Sequence, residues 1–267
     1  MQPSLDYLGR IAKMAMGRRS PFVLCYHGVS TGRLRSDPRG LFVTSAQFQA
    51  QLDFIEGQGY RLVAVSELWR LMRSGADVSQ VASITFDDGF ASAMCEAMPI
   101  LAEREAGCSM FISTGLLGGP HPHMPEERIM TASEVVELRA MGMEVGGHTV
   151  DHPRLPGMPY EEVFDQLIRS RSFLEDLLGE PIETMAYPFG AFDAQTIRAA
   201  SDAGYEIACG CMGPAPWQPL SLPREPIFPS VTMPRLRLKM AGLFGPVHAS
   251  KGLRTAVRRV RHKADRR

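Results

Sequence analysis

Ser83-Ile84-Thr85-Phe86-Asp87-Asp88-Gly89-Phe90 is a β-rich apolar run that closes on two carboxylates and a turn glycine. Adjacent side chains on a regular strand face opposite ways. A strand that stops at Asp87 and turns at Gly89 therefore lets both acids line one cavity. The alternative is an Asp-Gly turn in which Asp88 caps the following helix. Outward from this stretch, the same pattern of apolar run, polar end and helical segment recurs. Strands are expected at residues 22–27, 61–65, 83–87, 109–114, 144–148, 184–188, 206–210 and 222–227. Helices are expected at 45–58, 91–105, 133–141, 160–178 and 194–203, with Gly59, Gly107, Gly142, Gly179 and Gly204 as their terminators. Seven or eight such β/α units predict an α/β fold, a single distorted (β/α)7-8 barrel.

A chain of 267 residues with 45% apolar content suits one such barrel. The five cysteines, Cys25, Cys95, Cys108, Cys209 and Cys211, are odd in number and scattered, which argues for a reducing compartment and against a disulfide framework. Cys209 and Cys211 lack a second pair at zinc-finger spacing and read as strand residues. No stretch has the length of a membrane span or a signal core, so a cytoplasmic protein is expected. Net charge is zero, yet residues 251–267 carry eight Lys/Arg and one Asp, leaving residues 1–250 at minus seven. In that tail Leu253, Ala256, Val257 and Val260 recur at helical spacing among arginines. It reads either as a peripheral contact with an anionic membrane, at the inner face of the cell membrane, or as a solvated basic extension. No nucleic-acid partner is expected.

The chemistry-bearing residues recur where strands end: His27, Asp87, Asp88, His148, His152 and the turn Pro188-Phe189-Gly190. In a parallel barrel all those ends face one mouth. The imidazoles of His148 and His152, four residues apart in a loop flanked by glycines and Pro153, can reach one ion. With a carboxylate from another strand they make a two-His, one-Asp set that leaves room for water and substrate. Taken alone, the pair reads more readily as satisfied surface histidines. His121 and His123, in the Gly/Pro-rich loop 118–125, read as rim residues.

These motifs resemble the polysaccharide deacetylases with a NodB-homology domain, carbohydrate esterase family four. Residues 85–89 resemble the family's first motif, His148–His152 its second, and residues 186–190 its third. The similarity spans roughly residues 22–228 and gives three segments: an N-terminal segment 1–20, a catalytic NodB-homology domain 21–232 and a C-terminal basic extension 233–267. The resemblance implies hydrolysis of an N-acetyl group from an amino sugar. Asp87 would be the base, Asp88, His148 and His152 the metal ligands, and the Phe189 N–H an oxyanion donor. One divalent ion is implied, zinc with cobalt or nickel as alternatives, and the substrate is an N-acetylated saccharide or glycolipid.

Two positions depart from the common family pattern. Ala186 stands where the third motif has an arginine that orients the base, and no Leu-x-His acid motif follows near the C-terminus. An exopolysaccharide-modifying subgroup, rearranged so that an N-terminal Tyr-His supplies the acid, is similar to Tyr26-His27, to residues 42–68 and to Leu222-Pro223-Arg224. His27 is then the expected acid. Arg224 is expected to orient Asp87, the alternative being a surface ion pair worth about 1 kcal/mol. Pro188, Tyr187 and Trp217 are candidate substrate contacts, and Trp217 would serve equally as a cover over the rim. Competing functions are a deformylase or deacylase of a lipid-linked sugar and an inactive saccharide-binding module.

Overall fold

The structure is a computed structural model that describes residues 20–32, 37–211 and 217–241. The basic tail, with its expected membrane contact, and the segment before residue 20 lie outside the described residues.

The chain opens with β1 (Phe22–Tyr26), β2 (Gly28–Ser30), β3 (Phe42–Thr44) and α1 (Ser45–Gly57). It continues through β4 (Arg61–Val63), α2 (Val65–Arg73), β5 (Val81–Phe86), α3 (Ala91–Glu96), α4 (Met98–Ala102) and β6 (Cys108–Ile112). A hairpin of β7 (Pro120–His121) and β8 (Met124–Arg128) precedes α5 (Ala132–Ala140), β9 (Glu144–Gly147) and α6 (Tyr160–Leu178). Last come β10 (Thr184–Ala186), α7 (Ala194–Asp202), β11 (Ile207–Cys209), β12 (Glu225–Pro226) and α8 (Met233–Met240).

The main sheet runs β11-β10-β9-β6-β5-β1-β12, with parallel pairing throughout. β4 joins β5 along Val81–Ser83, while β6 takes the rest of that strand. Leu222 bridges Cys209 of β11, and Glu225 and Pro226 pair with β1. One short segment thus links the two ends of the sheet, and the strands curl into the expected α/β barrel.

Strand parity sorts the core. Phe22, Leu24 and Tyr26 of β1 and Ala82, Ile84 and Phe86 of β5 pack outward under the helices. Val23, Val81, Phe111, Ala186, Ile207 and Leu222 form a second, interior cluster. Residues with the parity of Val81 therefore look into the barrel, and the next in that series after Thr85 is Asp87.

Helix starts follow local chemistry. Thr44 with Gln47 and Thr131 with Glu134 form capping boxes before α1 and α5, and the Asp193 side chain accepts from the Thr196 N–H before α7. The expected helix at 91–105 is two, because Pro99 near the start of α4 supplies no N–H to a continuous ladder. Gly107 is no helix terminator: Glu105 takes the left-handed conformation there (φ 52°). A side chain at Gly107 would instead meet the backbone of Val63 and Ala64. α2 and α8 go beyond the sequence reading, and α8 places Leu236 and Met240 in the core beyond residue 232.

Candidate active site

A cavity of about 220 Å³ opens at the C-terminal ends of the strands, lined among others by His27, Asp87, Asp88, His121, His148, His152 and Phe189. Asp87 follows the parity of β5 into the barrel. Asp88 on a continued strand would face the helices, but it adopts φ 70° ahead of Gly89 at φ 83°, and the chain turns so that both carboxyls face the cavity. Thr149 (φ 66°), His152 (φ 57°) and Phe189 (φ 59°) share this left-handed conformation, which is uncommon for residues with a Cβ. Three of the five such residues described in the chain, Asp88, His152 and Phe189, line this one cavity, and Thr149 follows the lining residue His148; packing holds them against their local preference.

The two carboxylates have different neighbours. Arg224, 1% exposed, lies in the segment that closes the barrel. Its Nη1 and Nη2 donate to Asp87 Oδ1 and Oδ2 at 2.6 and 2.8 Å, and its Nε donates to the Gly210 carbonyl at 3.2 Å. This is a bidentate buried pair and not a surface one. The Cys25 thiol also donates to Asp87 Oδ2 at 3.4 Å. Burial pushes the Asp87 carboxyl up, but the Arg224 charge and hydrogen bonds, together with the charges of His148 and His27, outweigh it and hold the group below its ordinary value.

Asp88 faces histidines. His152 Nε2 and His148 Nε2 lie 3.1 and 3.4 Å from its Oδ1, which has no hydrogen-bond partner among the described residues although it is buried. Burial again pushes upward, and the two imidazoles hold Asp88 well below the carboxylate range. His148 Nδ1 meets the Ala186 carbonyl at 2.7 Å. The proton therefore sits on Nδ1 and the Nε2 lone pair looks inward, the arrangement that suits a metal-bound histidine. Two imidazole nitrogens around an orphaned carboxylate oxygen fit a divalent ion of the zinc type.

The His148–His152 loop is pinned at several points. The Thr149 hydroxyl accepts from the His152 N–H at 3.0 Å, and Gln166 Oε1 on α6 accepts from the N–H groups of Val150 and Asp151 at 3.1 and 3.0 Å. Gln166 carries no sequence signal of this task.

His121 is not at the rim. It is 1% exposed, and its Nε2 lies 3.8 Å from Asp88 Oδ2, so Asp88, His121 and His152 bring their ring nitrogens and carboxylate oxygen within 4.8 Å of one another. Burial drives its pKa down to about 4. The sequence reading missed it because its strand is two residues long and His121 lies between Pro120 and Pro122, which disguise strand character.

The remaining candidates separate. His27 lines the cavity, half-buried, with Nδ1 unpartnered. Phe189 is 42% exposed, its ring 4.7 Å from that of His152, with the Arg39 guanidinium over it at 5.6 Å from the ring centroid. Tyr187 and Pro188 are buried behind this turn, and the Tyr187 hydroxyl donates to the Leu220 carbonyl at 3.0 Å. Trp217 packs against the interior cluster that includes Val23 and Leu222. None of these last three lines the cavity.

A family model described as polysaccharide deacetylase matches residues 74–208, which is half of the chain. The chain belongs to the polysaccharide deacetylase family. The YxkH protein of Bacillus subtilis is 24% identical over 186 residues, covering 69% of this chain and 62% of that one. The chain spans between 45% and 62% of the length of the curated relatives it matches. Among solved structures, the Streptococcus pyogenes deacetylase PplD superposes with a TM-score of 0.71 at 23% identity, covering 84% of this chain and 99% of that one. IcaB from Ammonifex degensii gives 0.71 at 24% identity, covering 85% and 97%. These neighbours share the barrel. The matched segment of the polysaccharide deacetylase family holds Asp87, Asp88, His148 and His152, whereas His27 and Arg224 lie outside it.

No helix among the described residues is long and apolar enough to cross a membrane.

Proposed function

We propose that this chain is a metal-dependent hydrolase that removes an N-acetyl group from an amino sugar of a saccharide or glycolipid. The observation that carries the proposal is the division between adjacent carboxylates: Asp87 is clamped by an arginine, while Asp88 faces two imidazoles with an oxygen left unpaired. One acid is poised to take a proton and the other to hold a cation.

Asp88, His148 and His152 are the residues that would hold the ion. A zinc-like cation there supplies Lewis-acid polarisation and makes water a better nucleophile near neutral pH. Asp87 accepts the proton of the attacking water, and Arg224 keeps that carboxylate ionised and correctly oriented. His27, on the β1 side of the cavity, gives a proton to the departing amine, which leaves poorly as an anion. The Phe189 N–H, presented by the left-handed turn at φ 59°, donates to the developing oxyanion, a contribution of roughly 3 to 4 kcal/mol for one such donor. The exposed Phe189 ring and Arg39 offer the sugar an apolar face and a cation at the entrance.

The test is release of acetate and of formate from a panel of N-acyl saccharides and glycolipids, with Asp87→Asn as control. Acetate release that falls about 1,000-fold in the variant, with metal content intact, is the expected result. No turnover on any N-acyl sugar, or equal turnover in Asp87→Asn, would sink the proposal.

A further inference from the structure

We infer that His121 is a positioning residue for the cation-holding carboxylate: its Nε2–H holds Asp88 Oδ2, so that Oδ1 stays turned toward His148 and His152. The inference rests on the proposed roles of Asp88, His148 and His152.

The register of the hairpin breaks between Pro120, which pairs with Arg128, and His121, which pairs with Met124. Across that break the two residues part ways: Pro120 is exposed while His121 is fully enclosed. Its ring packs 5.1 Å from Phe90 and 5.4 Å from His152. Its buried Nε2 has no hydrogen-bond partner among the described residues and looks at Asp88 Oδ2. An enclosed imidazole nitrogen left unpaired is costly unless it has a task.

The hydrogen bonds assign the task. His121 Nδ1 accepts from the His123 backbone N–H at 3.2 Å, so the neutral ring carries its proton on Nε2. His148 is wired the other way, through the Ala186 carbonyl, and keeps a bare Nε2. A metal ligand needs the lone pair that His148 offers and His121 does not. His121 therefore acts as a donor to the carboxylate. The present 3.8 Å separation exceeds a hydrogen bond by about 0.8 Å, within reach of rotation about the broad terminal torsion of Asp88.

Cobalt(II) binding to the metal-free protein, measured by competition with a chromophoric chelator, tests the assignment. Gln retains an N–H at similar reach but has no imidazole lone pair; Leu retains bulk without a donor. His121→Leu and His121→Ala should weaken cobalt binding about 10-fold to 100-fold, the usual effect of removing a residue that orients a ligand. His121→Gln should stay within about threefold of the parent. The cobalt absorption bands should be the same in all four proteins, because the ligand set does not change. If His121→Gln binds as weakly as His121→Leu and its bands shift, His121 is a ligand and the inference is wrong. Parent-like affinity in both His121→Leu and His121→Ala also overturns it. His148→Ala, run alongside, checks the underlying site: parent-like cobalt binding there would refute the proposed ligand set itself, whatever the His121 variants show.

Discussion

The two ends of the barrel carry polar clusters of opposite character. Around the starts of β9 and β10, a cavity of about 350 Å³ is lined by Glu67, Arg70, Arg139, Glu144, Glu180 and Glu183 among others. It is larger than the cavity at the mouth, yet most of its buried polar groups have partners. Arg139 pairs with Glu180, Glu144 accepts from Ser109, and Thr184 Oγ1 is the one buried side-chain atom of its lining without a partner among the described residues. None of its lining residues with a Cβ has a positive φ. Among the described residues, the mouth has unpaired Asp88 Oδ1, His27 Nδ1, His121 Nε2 and His152 Nδ1, together with three left-handed residues, Asp88, His152 and Phe189. Volume does not mark the site here. Unspent bonding capacity held by a strained backbone does.

Breaking the clamp at the mouth should have the largest effect. Arg224→Lys keeps a charge but loses the two parallel bonds to Asp87, and turnover should fall about 100-fold with metal content unchanged. Parent-like turnover would make Arg224 a structural residue only. Metal analysis and far-UV circular dichroism separate a misplaced base from a misfolded barrel.

Loosening the histidine loop comes next. Gln166→Ala removes the acceptor shared by two backbone N–H groups, and zinc affinity should drop about 10-fold, as for other residues that support metal ligands. Unchanged affinity would mean that Thr149 and the strand end suffice to fix the loop.

At the opposite end the same measurements should be quiet. Glu144→Gln keeps the shape of the side chain and an acceptor for Ser109. Turnover should stay within about twofold of the parent, as expected for a change in a satisfied cluster away from the chemistry. A large loss would erase the distinction between the two ends.

The smallest effect concerns Glu134, which caps α5 and binds Arg128 at the end of the β7–β8 hairpin through two contacts of 2.6 Å. The Arg128 guanidinium depresses its carboxyl from 4.5 to about 2. A depressed carboxylate stabilises the fold above its unfolded pKa, and that contribution disappears as pH falls through the folded value. Thermal melts should show the parent ahead of Glu134→Gln above pH about 4.5, with the gap closing toward pH about 2. Because the Arg128 side of the pair is about half exposed to solvent, the gap should be at most about 1 kcal/mol. A gap that widens with acidification would contradict the assignment.

What the sequence made legible follows from periodicity and position. Alternation in the strands placed the units, and polar residues at their ends located the mouth. Gly89 beside paired acids signalled the turn, and the missing arginine at Ala186 directed attention to Arg224. Other features were hidden for physical reasons. His121 arrives between prolines on a hairpin with a broken register, and Gln166 acts from a helix face where any polar residue fits the pattern. Tyr187 and Trp217 carry the chemistry of sugar contacts but lie away from the cavity, a difference only three-dimensional packing decides.

The most direct test is a zinc titration of the chelator-stripped protein while acetate release from an N-acetylglucosamine oligosaccharide is followed. Turnover should start near zero, rise linearly and break at one equivalent per chain, with no rise in His148→Ala. Turnover that survives stripping, or a His148→Ala variant that regains it at the same equivalence, would contradict a metal-dependent site built on Asp88, His148 and His152.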